Sequence, residues 1–511
     1  MLSEIDLGPP APCPEPFNMA AHVLAHADAR PDKVALAVLG LTGAERWNYA
    51  RLKSAVLGTA TGLLRQGLAP GDIVLMRLGN TPAFPVAYLG AIAAGLVPVP
   101  TSPQLTAAEV GTMIDTLAPG AILHAPGVTC PASGIPVISQ AALEEMYALP
   151  PAPWHMGDPD RLAYIVYTSG TSGVPRAVMH AHRAIWARRM MVDGWYGLRP
   201  GDRLCHAGAF NWTYTLGTGL MDPWATGATA LIAGTGVGHD QLPLLMKRHD
   251  ATIFAAAPGV FRKILQSGAP LSLPRLRHGL SAGEKLSDTI RAGWHAATGT
   301  AIYEAYGMSE CSTFISSSPA APADPVTLGR PQPGRHIAIL GSNGRPVPLG
   351  EEGTIAVHRS DPGLMLGYMG AEAETAARFA GGWFLTGDQG AMDGAGQVTY
   401  MGRGDDMMNA GGYRVSPVEV EAVLAAFPGL TQAAATDIEV RADARVIMAF
   451  YTSPAPLDEA ALTAHVETNL APYKRPRAFH RVEALPTNPN GKLQRQALKS
   501  VYRLIADAGG G

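Results

Sequence analysis

The sequence predicts a layered α/β protein with a large N-terminal region and a small α+β region at its C-terminal end. Three observations carry this expectation. Apolar strand-like runs alternate with helix-like runs from Val34 to about Ala301. From about Pro325, Gly and Pro punctuate short β-like runs, which predicts a mainly antiparallel subdomain closing the large region. The last stretch, 405–511, has a strand and helix pattern of its own. At 511 residues the chain exceeds what one hydrophobic core usually serves, so at least two domains are expected.

Taken in order, 17–27 reads as an amphipathic helix, and 34–39 and the Trp47 region as short strands before a helix from Ala50. Residues 72–78 predict a strand, 82–94 a helix and 97–100 a strand, and this alternation implies parallel layers. The pattern resumes at Arg161, and 252–257, 259–267 and 278–282 form one strand–helix–strand unit. Strands are expected at 337–340, 354–358 and 397–401, with turns at 341–344 and Asp393-Gly394. Ser416-Pro-Val-Glu419 predicts a capping box with Pro at the first helical position. Helices follow at 458–471 and 497–506.

Composition excludes several classes. Hydrophobic residues make up 47%, enough for large cores, and a net charge of −3 leaves no basic face for nucleic acid. The four cysteines, Cys13, Cys130, Cys205 and Cys311, are dispersed, so neither a zinc site nor a disulfide framework is indicated. The acidic, then Pro-rich N-terminus is unlike a signal peptide. The apolar stretch at 84–98 is short for a membrane span and broken by Gly and Pro. A cytoplasmic protein with no membrane span is expected.

Residues 167–173 read Tyr-Thr-Ser-Gly-Thr-Ser-Gly. Thr168, Ser169, Thr171 and Ser172 bring hydroxyl donors. Gly170 and Gly173 let backbone N–H groups approach an anion. Arg176 adds a cation. The loop follows an apolar strand-like run, 162–167, and α/β proteins place ligands at strand ends. It is not a Walker loop, because Gly170 and Gly173 stand three apart and no Gly-Lys-Ser/Thr follows. A flexible linker, the competing reading, fits poorly directly behind an apolar strand. Phosphate binding is the better expectation.

Five further segments follow in order: Tyr303-Glu-Ala-Tyr-Gly-Met-Ser-Glu310, Trp383-Phe-Leu-Thr-Gly-Asp388, Gly402-Arg-Gly-Asp-Asp406, Gly411-Gly-Tyr-Arg414 and Pro489-Asn-Gly-Lys492. With the Thr/Ser/Gly loop they resemble the signature of the adenylate-forming superfamily, over nearly the whole chain. The match is to its AMP-forming acyl- and aryl-CoA synthetases, of which the benzoate–CoA ligases are one branch. The resemblance implies an ATP-dependent carboxylic acid–CoA ligase. It would form an acyl-adenylate and pyrophosphate, then acyl-CoA and AMP, using ATP, Mg²⁺ and coenzyme A. A homodimer is compatible with it.

The resemblance also implies roles for residues. Bringing a carboxylate to a phosphate repels, so positive charge and donors are needed at the reacting atoms. Lys492 would bridge the carboxylate and α-phosphate, with Ser309 at the phosphate and Glu310 on Mg²⁺. Tyr306 would present a ring to adenine, with Gly283, Glu284, Glu304 and Ala305 beside it. Asp388 would accept from the ribose hydroxyls, assisted by Arg403, and Arg414 would sit near phosphate. Gly411 and Gly412 would let the coenzyme A arm pass. Asp405 would be the hinge between a large domain, 1–404, and a small mobile domain, 405–511, that carries Lys492. Three departures stand out. Arg176 and Ala177 occupy places where the family usually has Lys and Gly, and Ser309 replaces a usual Thr.

The acyl pocket is expected to draw on Phe210, Trp212, Tyr214, Ser281, Ala282, Gly307, Met308 and Phe314. Amino-acid activators of the superfamily place an Asp where this chain has Phe210-Asn211-Trp212, so an acid without an α-amino group is expected. Enzymes for acetate carry a Trp in the place of Gly307. A glycine there predicts an open pocket and an aryl or short-to-medium acyl acid larger than acetate. The alternatives are a free-standing enzyme that loads a carrier protein, and a non-catalytic nucleotide sensor.

Overall fold

The computed structural model describes residues 1–168, 176–266, 268, 271–404, 406–410, 413–441, 444–487 and 493–509. Its centre is a nine-stranded sheet. Strands Val34–Leu39, Arg203–His206, Thr229–Ala233, Ile253–Ala256, His278–Ala282 and Ile302–Met308 run parallel, and antiparallel strands flank them. These runs are mostly apolar because a parallel sheet is covered on both faces. Helix Pro258–Leu265 follows Ile253–Ala256 and packs on Asp288–Thr298 as its cover.

A second, four-stranded sheet is wholly parallel: Ile73–Arg77, Val97–Pro100, Ala121–His124 and Val137–Ser139. Helices Tyr49–Arg65 and Ala83–Ala93 pack against each other beside it. Every residue of Ala83–Ala93 is buried, so this helix is apolar all round. Asn48 caps Tyr49–Arg65 by accepting from the Arg51 N–H. The expected helix at 17–27 is shorter, Met19–Val23, started by Asn18, whose Oδ1 accepts from Ala20 and Ala21.

One expectation changes around the loop expected to bind phosphate. The strand before it, Leu162–Thr168, leads into an antiparallel partner, Arg176–Ala181, with Thr168 opposite Arg176. The chain therefore passes from one strand to its antiparallel neighbour, where the alternation predicted parallel layers. The antiparallel closing sheet is present, built on His336–Leu340, Gly353–His358, Trp383–Met392 and Val398–Arg403.

After Arg403 the chain builds a separate core. Strands Gln432–Arg441, Ala444–Thr452 and Ala478–Arg481 pack with helices Pro417–Ala425, Glu459–Asn469 and Arg495–Gly509. Its two buried apolar clusters hold only residues from Met408 onward. Ser416 caps Pro417–Ala425 as expected, but only half of the capping box forms, because the Glu419 carboxylate pairs with Lys474 at 2.6 Å. No helix among the described residues is long and apolar enough to cross a membrane.

Candidate active site

A cavity of about 2490 Å³ lies between the large core and the C-terminal core. It is lined on one side by Thr168, Tyr306, Ser309, Glu310, Asp388 and Arg403, and on the other by Thr487, Leu493, Gln494 and Arg495.

Three of the residues expected at the nucleotide form one connected group. Asp388 and Arg403 are register partners on adjacent strands, with Arg403 Nε 3.3 Å from Asp388 Oδ1. The Tyr306 phenol donates to Asp388 Oδ2. Burial first, and then the Asp388 charge, hold that phenol well above its usual pKa, so it remains a donor. Its ring stands edge-on to Phe314 at 5.2 Å and tilted against Tyr400 at 5.5 Å. Glu304 and Ala305 also line the cavity, but the Glu304 carboxylate is engaged in the fold. It accepts from Leu286 N–H at 2.8 Å and from Arg291 at 3.0 Å. Gly283 and Glu284 line the same wall.

Glu310 Oε1 accepts from the Tyr368 hydroxyl at 2.7 Å, while Oε2 has no hydrogen-bond partner among the described residues. That leaves one carboxylate oxygen for a cation. No cluster of three or more His, Cys, Asp or Glu side chains surrounds it among the described residues. Such a lone carboxylate suits Mg²⁺ completed by phosphate oxygens. The Ser309 carbonyl accepts from His180 Nε2 at 2.8 Å. His180 stacks on Tyr164 at 4.8 Å, and burial lowers its pKa to about 4, so it is neutral with the proton on Nε2. His180 therefore fixes the Ser309–Glu310 turn, a role that no motif in the sequence signals. Only the contact between strand Arg176–Ala181 and a turn 129 residues away in the chain shows it. Arg176 borders the cavity, but its Nε is paired with Glu374 at 2.5 Å, so its charge is shared.

Several expected residues lie outside the described residues: Ser169, Gly170, Thr171, Ser172, Gly173, Asp405, Gly411, Gly412 and Lys492. Arg414 stands opposite Asn409 in a two-stranded ribbon.

The acyl wall requires correction. Trp212, Tyr214, Ala282, Gly307 and Met308 line the cavity. Phe210, Ser281 and Phe314 do not. Phe210 is fully buried in the main apolar core, its N–H bonded to Asn80. Ser281 alternates with Ala282 along a strand, so the two point to opposite faces. Phe314 lies in the core beside Tyr306.

Gly307 is glycine for a reason other than an open pocket. A Cβ there would stand 2.0 Å from the Ser312 carbonyl oxygen and 2.4 Å from Thr313 Cα. Both belong to the neighbouring strand, at a register break between Tyr306 and Gly307. The missing side chain lets two backbones approach. It does not leave room for an acid.

The Tyr306–Asp388–Arg403 group and the Glu310 carboxylate face one cavity with Trp212, Tyr214 and Ala282, the layout expected of an adenylate-forming acid–thiol ligase. Sequence comparison agrees. The AMP-binding enzyme family model matches residues 23–369, and the AMP-binding enzyme C-terminal domain model matches 419–492. The chain belongs to this family, the adenylate-forming superfamily, in its AMP-forming acyl- and aryl-CoA synthetase branch. It is 28% identical to a 3-hydroxybenzoate–CoA ligase of Aromatoleum sp. (strain CIB), covering 90% of this chain and 92% of that one. It is 30% identical to a benzoate–CoA ligase of Thauera aromatica, covering 85% and 86%. A benzoate CoA ligase from Burkholderia xenovorans LB400 superposes with a TM-score of 0.85 at 28% identity, covering 94% of this chain and all of that one.

Proposed function

We propose that the chain activates an aryl or short-to-medium acyl acid with ATP in this cavity and transfers it to coenzyme A. One acid oxygen attacks the α-phosphate and pyrophosphate leaves. The thiol of coenzyme A then attacks the acyl carbon and AMP leaves. The observation that carries this reading is the cavity between two separately packed cores. The Tyr306–Asp388–Arg403 group lies on one wall, and residues flanking Lys492 lie on the other.

Thr168 heads the loop that would hold the phosphates, and the Ser309 hydroxyl would meet the α-phosphate. Asp388 and Arg403 would orient the ribose beside Tyr306. Mg²⁺, held by Glu310, would supply charge neutralisation at the phosphates. Thr487 and Leu493, the described residues on either side of 488–492, form an antiparallel bridge, and both line the cavity. This supports Lys492 as the cation between carboxylate and α-phosphate. The separate core from Met408 onward supports domains of 1–404 and 405–511 with Asp405 as hinge. Gly411 and Gly412 would then flank the coenzyme A arm.

The acid's size now rests on a different observation from Gly307. The same cavity reaches past Trp212 and Ala282 to Tyr88, Ala184 and Gly217, which leaves room for an acid larger than acetate. The test is pyrophosphate exchange with a panel of acids, followed by a CoA-thioester assay. Exchange and thioester formation with one acid class are expected. Exchange without CoA-thioester would mean a carrier-protein acceptor. Tight ATP binding with no exchange would mean a sensor.

A further inference from the structure

An ion pair sits in the wall of the acyl side of the cavity, where a plain hydrocarbon acid would need none. Arg188 follows helix Arg183–Ala187 and lines the cavity with its side chain 12% exposed. Its Nε donates to Asp222 Oδ1 at 2.8 Å and its Nη2 to Asp222 Oδ2 at 2.6 Å. Nη2 also reaches Tyr196 Oη at 3.1 Å and Thr218 Oγ1 at 3.3 Å. Nη1 donates to Ser312 Oγ. That accounts for four of the five guanidinium N–H groups. The second N–H on Nη1 has no partner among the described residues.

The surroundings concede space and strain to this arginine. At Gly217 a Cβ would fall 2.4 Å from Nη2 and 2.6 Å from Cζ, so any side chain there would displace the guanidinium. Ser312 holds φ at +61°, a left-handed conformation that is uncommon for serine, with its hydroxyl on Arg188. Tyr88 and His180 line the same cavity, and Tyr88 Oη and His180 Nδ1 are buried with no hydrogen-bond partner among the described residues. A buried charge pair is often less stabilising than apolar residues of equal volume. Its retention in a binding wall suits a ligand with a polar group of its own.

We infer that Arg188, held by Asp222 and Ser312, is a specificity-determining residue that hydrogen-bonds a neutral acceptor, such as a hydroxyl, on the acid away from its reacting carboxylate. This inference rests on the ligase reading above. Asp222 already neutralises the guanidinium, so a second carboxylate on the acid would be buried without a counter-charge, and dicarboxylic acids are disfavoured.

The test compares kcat/KM for pyrophosphate exchange with benzoic and hexanoic acids against their hydroxylated counterparts, covering ortho, meta and para positions, and with benzenedicarboxylic acids. One hydroxylated acid is expected to exceed its parent by about 10–10²-fold. The paired variant Arg188→Met/Asp222→Asn removes both charges at similar volume and should bring that ratio near one. Ser312→Gly removes the hydroxyl at a backbone position glycine adopts freely, and should lower the ratio while the protein stays folded. A purely structural ion pair would slow all acids alike and leave the ratio unmoved, which overturns the inference. So does a wild-type ratio near one, or a preference for a dicarboxylic acid; in each case the ligase reading stands. No exchange with any acid overturns both.

Discussion

Gly307→Ala should damage the enzyme for all acids equally. The added Cβ would stand 2.0 Å from Ser312 O, 2.4 Å from Thr313 Cα and 2.6 Å from Ser312 C. Ordinary contacts lie near roughly 3.5 Å, so the two strands must separate by more than about 1 Å. The obstructing atoms are backbone and cannot rotate away. Overpacking of this kind costs about 1–3 kcal/mol, and more where backbone is displaced. The strain falls two residues before Ser309 and three before Glu310. A shift of about 1 Å at reacting groups costs on the order of 10²-fold in rate. Thermal unfolding and pyrophosphate exchange with acetate, hexanoate and benzoate would measure both consequences. The expected result is a lower Tm and a similar fractional loss for each acid. An unchanged Tm, with acetate turned over normally and only larger acids lost, would refute the close-approach argument and restore Gly307 as a pocket boundary.

Lys492→Ala should lower adenylation by about 10²–10³-fold while sparing thioester formation from supplied acyl-adenylate, and equal losses in the two half-reactions would remove that role. Asp405→Pro should do the reverse, because proline fixes φ near about −65° at the proposed hinge, and normal steady-state thioester output would exclude it. Tyr368→Phe removes the hydroxyl that orients Glu310 and should raise the Mg²⁺ concentration for half-maximal exchange about 10-fold; an unchanged Mg²⁺ titration counts against Glu310 as ligand. Stability should fall as the medium is acidified: burial lowers the pKa of His22, His180 and His278 from 6.5 to about 4, and that of His182 and His206 to about 3. Below pH 6.5 the unfolded chain takes up protons that the folded chain refuses, so stability rises with pH across that window and is lost as pH falls through it. A Tm flat between pH 6.5 and pH 4 would contradict this.

The sequence by itself determined what local pattern and backbone chemistry can encode. Apolar runs and their turns placed the strands at 73–77, 97–100, 253–256 and 278–282 to within a residue or two. Side chains next to their own backbone were legible too, as at the Ser416 cap, because both partners lie within one turn. Residue types in order suggested that Asp388 and Arg403 work together, and the two do meet across adjacent strands. What only the tertiary structure decided involves partners far apart in the chain. His180 meets Ser309 across 129 residues, and Arg188 meets Ser312 across 124. The antiparallel pairing of Leu162–Thr168 with Arg176–Ala181 is one that a parallel alternation does not reveal. Phe210 and Phe314 share the aromatic character of Trp212 and Tyr214, but packing places both in the core. Gly307 shows the limit most sharply. Its residue type announces that a side chain is not tolerated, while the reason, a backbone 2.0 Å from where its Cβ would be, exists only once the two strands are packed.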